Sequence, residues 1–313
     1  MEWFDAYRED VAWVFSEAES RLSNFPASLQ ADAARQLQQY HPFQEKSHKN
    51  YICYLLPFWM GQPFSIENRI LRQISLANVF LMMHLVTQDD VMDDSSVDRT
   101  RLLALSHLFA TASVSEYQQL FDSNSLFWDM YAQYATQWAD AVCMEQQASS
   151  FVQNPISIAA KAAPVKCAST AVLLVQQNES LLPLYSRAVD AVLAALQMAD
   201  DWADWREDLQ LQNANSLLAL IRSEPAYSYS LPPSPEHIHR ALCLSSISEH
   251  FVQIAEAFES DLQELERKPN HLIAFYHALV TDLRKGANTY TLQREKMKLG
   301  GFSYWLSKNI VNT

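Results

Sequence analysis

The sequence predicts an all-α protein, and three observations carry that prediction. Only four of 313 residues are glycine, helix-forming Leu, Ala and Gln are abundant, and apolar residues recur at three- and four-residue steps. With 49% hydrophobic and 19% charged residues, the chain has the composition of a globular protein able to bury a large core. We therefore expect an all-α fold over residues 1–313, as one large domain or two tightly fused halves.

Turn-prone clusters divide the chain into helix-length pieces: SNFPAS near residue 25, HPFQEKSHKN in the forties, LPFWMGQPFS around 60, QNPIS near 155 and SEPAYSYSLPPSPEH from 223 to 237. The last is expected as a surface loop, because helical periodicity resumes beyond it. Two long helices should follow. One starts at about Ser65, whose hydroxyl is placed to cap free amides in Ser65-Ile66-Glu67-Asn68, and runs through the acidic stretch QDDVMDD. The other starts near Pro183, a residue suited to a first helical turn, and continues through LQMADDWADWREDLQL. The chain is expected to break at Gly300-Gly301 and to resume as FSYWLSKNIV, a piece placed to act as a lid.

Composition also excludes. A formal net charge of −13 argues against a basic nucleic-acid surface, since that affinity comes from Lys and Arg neutralising phosphates. So few glycines leave no phosphate-cradling loop. Cys53, Cys143, Cys167 and Cys243 are far apart and read as free thiols rather than a zinc or disulfide framework. The start MEWFDAYRED lacks a basic and apolar leader, and no uncharged run reaches the roughly 18 to 20 residues that cross a bilayer. The expectation is a cytoplasmic protein with no transmembrane segment. A homodimer stays open.

On the first long helix Val79, Met82 or Met83, and Val86 form an apolar stripe, and the same steps reach Asp89 or Asp90 and then Asp93. On the second, Val189, Leu193 and Leu196 lead to Asp200, Asp204 and Asp208, with Gln197, Asp201 and Glu207 beside them. Acid runs are commonly solvated helix faces. Here the aspartates continue the apolar stripe, so they should point inward, and stacked like charges repel. A cation should sit among them. Oxygen donors without nearby Cys or paired His suit a hard ion, and Mg2+ fits best because it needs only one or two carboxylates and takes further ligands from water and phosphate. His84 is read as a hydrogen-bonded core residue rather than a ligand.

These residues resemble the class I isoprenoid synthases, which include prenyl diphosphate synthases, squalene and phytoene synthases and terpene cyclases. Asp89-Asp90-Val91-Met92-Asp93 matches that family's D-D-x-x-D motif, and QMADDWADWRED looks like its second aspartate motif. The resemblance implies a single domain over residues 1–313, an antiparallel helical bundle around a central apolar cavity. It also implies three Mg2+ ions that bind an allylic diphosphate and assist loss of pyrophosphate. It would make Asp89, Asp93, Asp200, Asp204 and Asp208 metal ligands, with Asp90 and Glu207 in support. Asp89, Asp90, Asp93, Asp200 and Asp204 would then be the catalytic set. Lys161, Lys166, Arg187 and Arg294 are the candidates to hold the substrate's diphosphate. Trp59, Phe80, Trp202, Trp205 and Tyr290 are aromatic positions that either line the cavity or simply fill the core.

Chain-elongating relatives carry paired arginines followed by glycine after the first motif. Here Arg99 and Arg101 are split by Thr100, with no glycine following. That departure favours a single-substrate terpene synthase, a carbon–oxygen lyase acting on diphosphates. A prenyltransferase, a squalene-synthase-like coupling enzyme and a non-catalytic relative are the alternatives.

Overall fold

The computed structural model describes residues 1–93, 97–144, 149–225 and 234–309, without the side chains of Asp93, Ser149, Ser150 and residues 302–309. Every regular element among the described residues is helical, as the scarcity of glycine and the three- and four-residue periodicity require. The chain divides into two compact units, residues 1–139, 162–189 and 264–274, and residues 140–161, 190–263 and 275–313.

In the first unit the main helices are α1 (Arg8–Arg21), α2 (Ala27–Gln39), α3 (Tyr51–Gly61), α4 (Asn68–Asp93), α5 (Arg99–Gln118), most of α6 (Leu126–Cys143) and α7 (Lys166–Val175). Helix α4 packs against α1, α3, α5 and α7, which buries Ile74, Ala77, Val79, Phe80 and Met83 completely. Burying each of the larger side chains, Ile74, Val79, Phe80 and Met83, stabilises by roughly 1.5–3 kcal/mol. Trp59 also lies in this core, where its Nε1 donates to the Trp3 carbonyl at 2.9 Å. A second long helix, α8 (Leu182–Leu211), begins in this unit.

The second unit holds the rest of α8, then α9 (Ser216–Ser223), α10 (Pro235–Leu244), α11 (Ile247–Ala257) and most of α12 (Asn270–Asn309). Here Trp202 stacks on Phe251 at 6.0 Å and meets Tyr290 edge-on at 5.9 Å.

Three boundary expectations need correction. Ser65 does not cap α4: its φ of 54° puts it in the left-handed region, and the carbonyl of Glu67 takes the first amides, those of Ile70 and Leu71. The LPFWMGQPFS cluster does not interrupt the chain at Pro57, which sits inside α3; the break falls after Gly61. Nor does the chain break at Gly300-Gly301, since α12 runs through both, and open space around each costs a helix no packing there. The expected lid side chains, and residues 226–233 of the proline-rich loop, lie outside the described residues. Two segments, Asn68–Met92 and Pro155–Val175, are long and apolar enough to cross a bilayer by composition, and 67% of each apolar window is buried within the protein. Core helices of this kind pass the same test.

Candidate functional site

The first aspartate motif occupies the last turn of α4. Its apolar stripe is buried as expected at Val79, Met82 and Met83, thins to half-buried at Val86, and ends in Asp89, which is exposed. The inward orientation expected for this cluster therefore does not hold for Asp89. Asp90 is the acid that turns toward the protein: Gln36 Nε2, on α2, donates to its Oδ2 at 2.7 Å. Gln36 is only 6% exposed, so the bond is shielded on the glutamine side. One turn further along, burial pushes the Tyr40 hydroxyl up to about 12, with the charges of Asp90 and Asp89 adding to the shift. Asp93 lies in the helix, but its side chain is outside the described residues. A cleft of about 480 Å³ opens on this corner, lined by Gln36, Tyr40, His48, Asp90 and Arg101 among others.

His84 is half-buried and its Nδ1 lies 2.7 Å from Ser106 Oγ and 3.1 Å from the Ser106 carbonyl, the hydrogen-bonded core position the sequence suggested. Burial holds its pKa below the usual histidine range.

The second motif lies on the later turns of α8. Here too the inward acid differs from the expected one. Asp200 and Asp204 are exposed and Asp208 half-buried, whereas Asp201 is 6% exposed. The buried positions Ala194, Ala195, Met198, Asp201 and Trp205 define the inner face, one residue out of step with the stripe drawn through Leu196 and Asp200. The Ser216 amide donates to Asp201 Oδ2 at 2.7 Å, the Ser216 hydroxyl donates to the same oxygen, and Gln197 Nε2 donates to Oδ1 at 2.9 Å. Burial raises the Asp201 carboxyl, while these hydrogen bonds and the Lys161 charge pull it back.

Asp200 has an open edge, yet burial pushes its carboxyl up to about 6, with the charges of Asp201 and Asp204 contributing. Gln212, at φ 61°, ends α8 in the left-handed conformation. The chain then turns so that Asn215 Nδ2 reaches Asp208 Oδ2 at 2.8 Å and the Asp201 carbonyl at 2.8 Å.

The four candidate cations have different settings. Lys161 is half-buried, and its charge acts on Asp201. Lys166 is 3% exposed, with its Nζ 4.8 Å above the Tyr134 ring and donating to Gln137 Oε1 at 3.3 Å. Arg187 makes an exposed ion pair with Glu264 at 2.7 Å, and Arg294 binds Glu249 and donates to the Ser245 carbonyl. Arg101 is likewise engaged, by Asp32 and the Ser28 carbonyl. Of the aromatic candidates, Trp59, Phe80 and Trp205 are buried in the core.

Among the described residues, no group of three or more His, Cys, Asp or Glu side chains lies close enough together to hold a metal ion by itself. The donors present are nonetheless all hard oxygens, and Mg2+ requires only one or two carboxylates when phosphate and water complete its shell. A dication would also relieve the repulsion among Asp200, Asp201 and Asp204. The donor chemistry therefore fits Mg2+.

Sequence reasoning missed Gln36 and Ser216. Asn215-Ser216 follows the acidic helix as a cap-forming pair and was discoverable; Gln36 carries no local signal. No family model, curated protein or solved structure matches this chain.

Proposed function

We propose that this chain is a class I isoprenoid synthase of the terpene-cyclase kind, which ionises a linear allylic diphosphate, releases pyrophosphate and rearranges the resulting carbocation. The observation that carries the reading is the placement of D-D-x-x-D on the terminal turn of a 26-residue helix and of Asp200, Asp204 and Asp208 along the later turns of a 30-residue one. Exposed Asp89, Asp200 and Asp204 are accessible as ligands, and the motif spacing adds Asp93 and Asp208 to the proposed set. Bound Mg2+ would supply the positive charge that stabilises the departing pyrophosphate. Lys161 and Lys166 add cationic charge from the segment before and at the start of α7. Arg187 and Arg294 are already committed to carboxylates, which makes them the weaker diphosphate candidates.

The engagement of Arg101 by Asp32 supports a single-substrate reaction, because that guanidinium is held by the protein. Incubation with Mg2+ and one allylic diphosphate, over a range of chain lengths, tests the reading. Hydrocarbon or alcohol formed without isopentenyl diphosphate is the expected result. Turnover only with a second diphosphate would replace the cyclase by a coupling enzyme, and no pyrophosphate release from any substrate would remove the proposal.

A further inference from the structure

We infer that Gln36 is a positioning residue: by holding Asp90 it pins the acidic last turn of α4, so that Asp89 is presented outward in a fixed direction. The inference rests on the proposed function for its purpose, but the anchoring itself does not.

The last turn of α4 needs an anchor. Helix ends fray, and the C-terminal end of a helix carries the negative pole of its dipole, where carboxylates are unfavourable and cations welcome. Asp89, Asp90 and Asp93 crowd this turn, and it contains no basic residue. Like charges and the helix dipole both disfavour such a turn. Gln36 supplies a neutral donor from a different helix, 54 residues earlier, at 2.7 Å from Asp90 Oδ2. A hydrogen bond to an ionised carboxylate, here half-buried, is stronger than a neutral one. Adjacent helical residues point about 100° apart, so tying Asp90 to α2 leaves Asp89 directed to solvent.

The second motif repeats the division. Asp201 is buried and held by Ser216 and Gln197, while its neighbour Asp200 is exposed. In both aspartate pairs the second member accepts from protein donors and is the less exposed of the two.

Two measurements on the full chain test the role of Gln36. In the free protein, Gln36→Leu should speed amide exchange in residues 88–93 by about tenfold, while Gln36→Lys, which keeps a donor, should stay near wild type. Titration of Mg2+ into protein with inorganic pyrophosphate, followed by calorimetry, should show the apparent Mg2+ affinity of Gln36→Leu lowered about tenfold, the usual scale for a residue that orients a metal ligand. The melting midpoint should move by only a few degrees. Unchanged exchange in Gln36→Leu overturns the anchoring. Faster exchange with unchanged Mg2+ affinity overturns the positioning role and leaves the proposed function standing. No Mg2+–pyrophosphate binding in the wild type, across the concentrations used, sinks both.

Discussion

The carboxylate of Asp201 accepts the backbone amide of Ser216 at 2.7 Å, so an acid in the body of one helix caps the first turn of the next. Asn215 completes the arrangement, its Oδ1 accepting the Leu218 amide at 3.1 Å. Asp201→Ala removes a cap and leaves buried donors unsatisfied, which together cost about 2–4 kcal/mol. Asp201→Asn should cost less than the alanine variant, since the amide oxygen still accepts. Denaturant melts of the two variants check the order, and equal midpoints would show that the capping contributes little.

Asp89→Asn and Asp204→Asn should behave oppositely. Both side chains are exposed, so folding is little affected and the repulsion in each cluster is eased. Pyrophosphate release with Mg2+ and an allylic diphosphate should fall at least about a hundredfold. Wild-type rates in either variant would remove these residues from the proposed machinery.

Gly286 faces Trp202 so closely that an added Cβ would lie 2.5 Å from its Nε1. Trp202 is wedged against Phe251 and Tyr290 and has little room to yield. Gly286→Ala should therefore destabilise by about 1–3 kcal/mol, read as a lowered melting midpoint. An unchanged midpoint would mean that the indole shifts freely.

Burial works against ionisation of Glu249, but hydrogen bonds from Thr291 and Arg294 outweigh it and hold the carboxyl down to about 2. Because the folded pKa lies below the unfolded value, this contribution to stability is full above about pH 4.5 and is lost as pH falls towards 2. Glu249→Gln should flatten that acid limb relative to wild type. Parallel acid titrations of unfolding settle it, and superimposable curves would contradict the ion pair's role.

Cys53 and Cys167 are fully enclosed, and burial pushes the Cys53 thiol up to about 12 and raises that of Cys167 further. Cys143 is exposed. A thiol reagent at neutral pH should modify Cys143 rapidly and leave Cys53 and Cys167 untouched until denaturant is added, because the thiolate is the reactive form. Fast native labelling of Cys53 would contradict the packing of α3.

The all-helical class, the two long helices and most of the breaks between them were legible in the residues themselves, because helix formation answers to local propensity and a 3.6-residue period. The placement of both aspartate motifs on the later turns of those long helices was legible for the same reason, since the motifs continue the helical periodicity. What escaped was orientation. A periodicity drawn through Leu196 differs by only one residue from the face that is buried, and one residue turns a helix by about 100°, enough to exchange Asp200 for Asp201. Which aspartate turns inward was decided by donors remote in sequence, Gln36 for Asp90 and Ser216 for Asp201, and only the folded chain brings those donors within hydrogen-bonding distance.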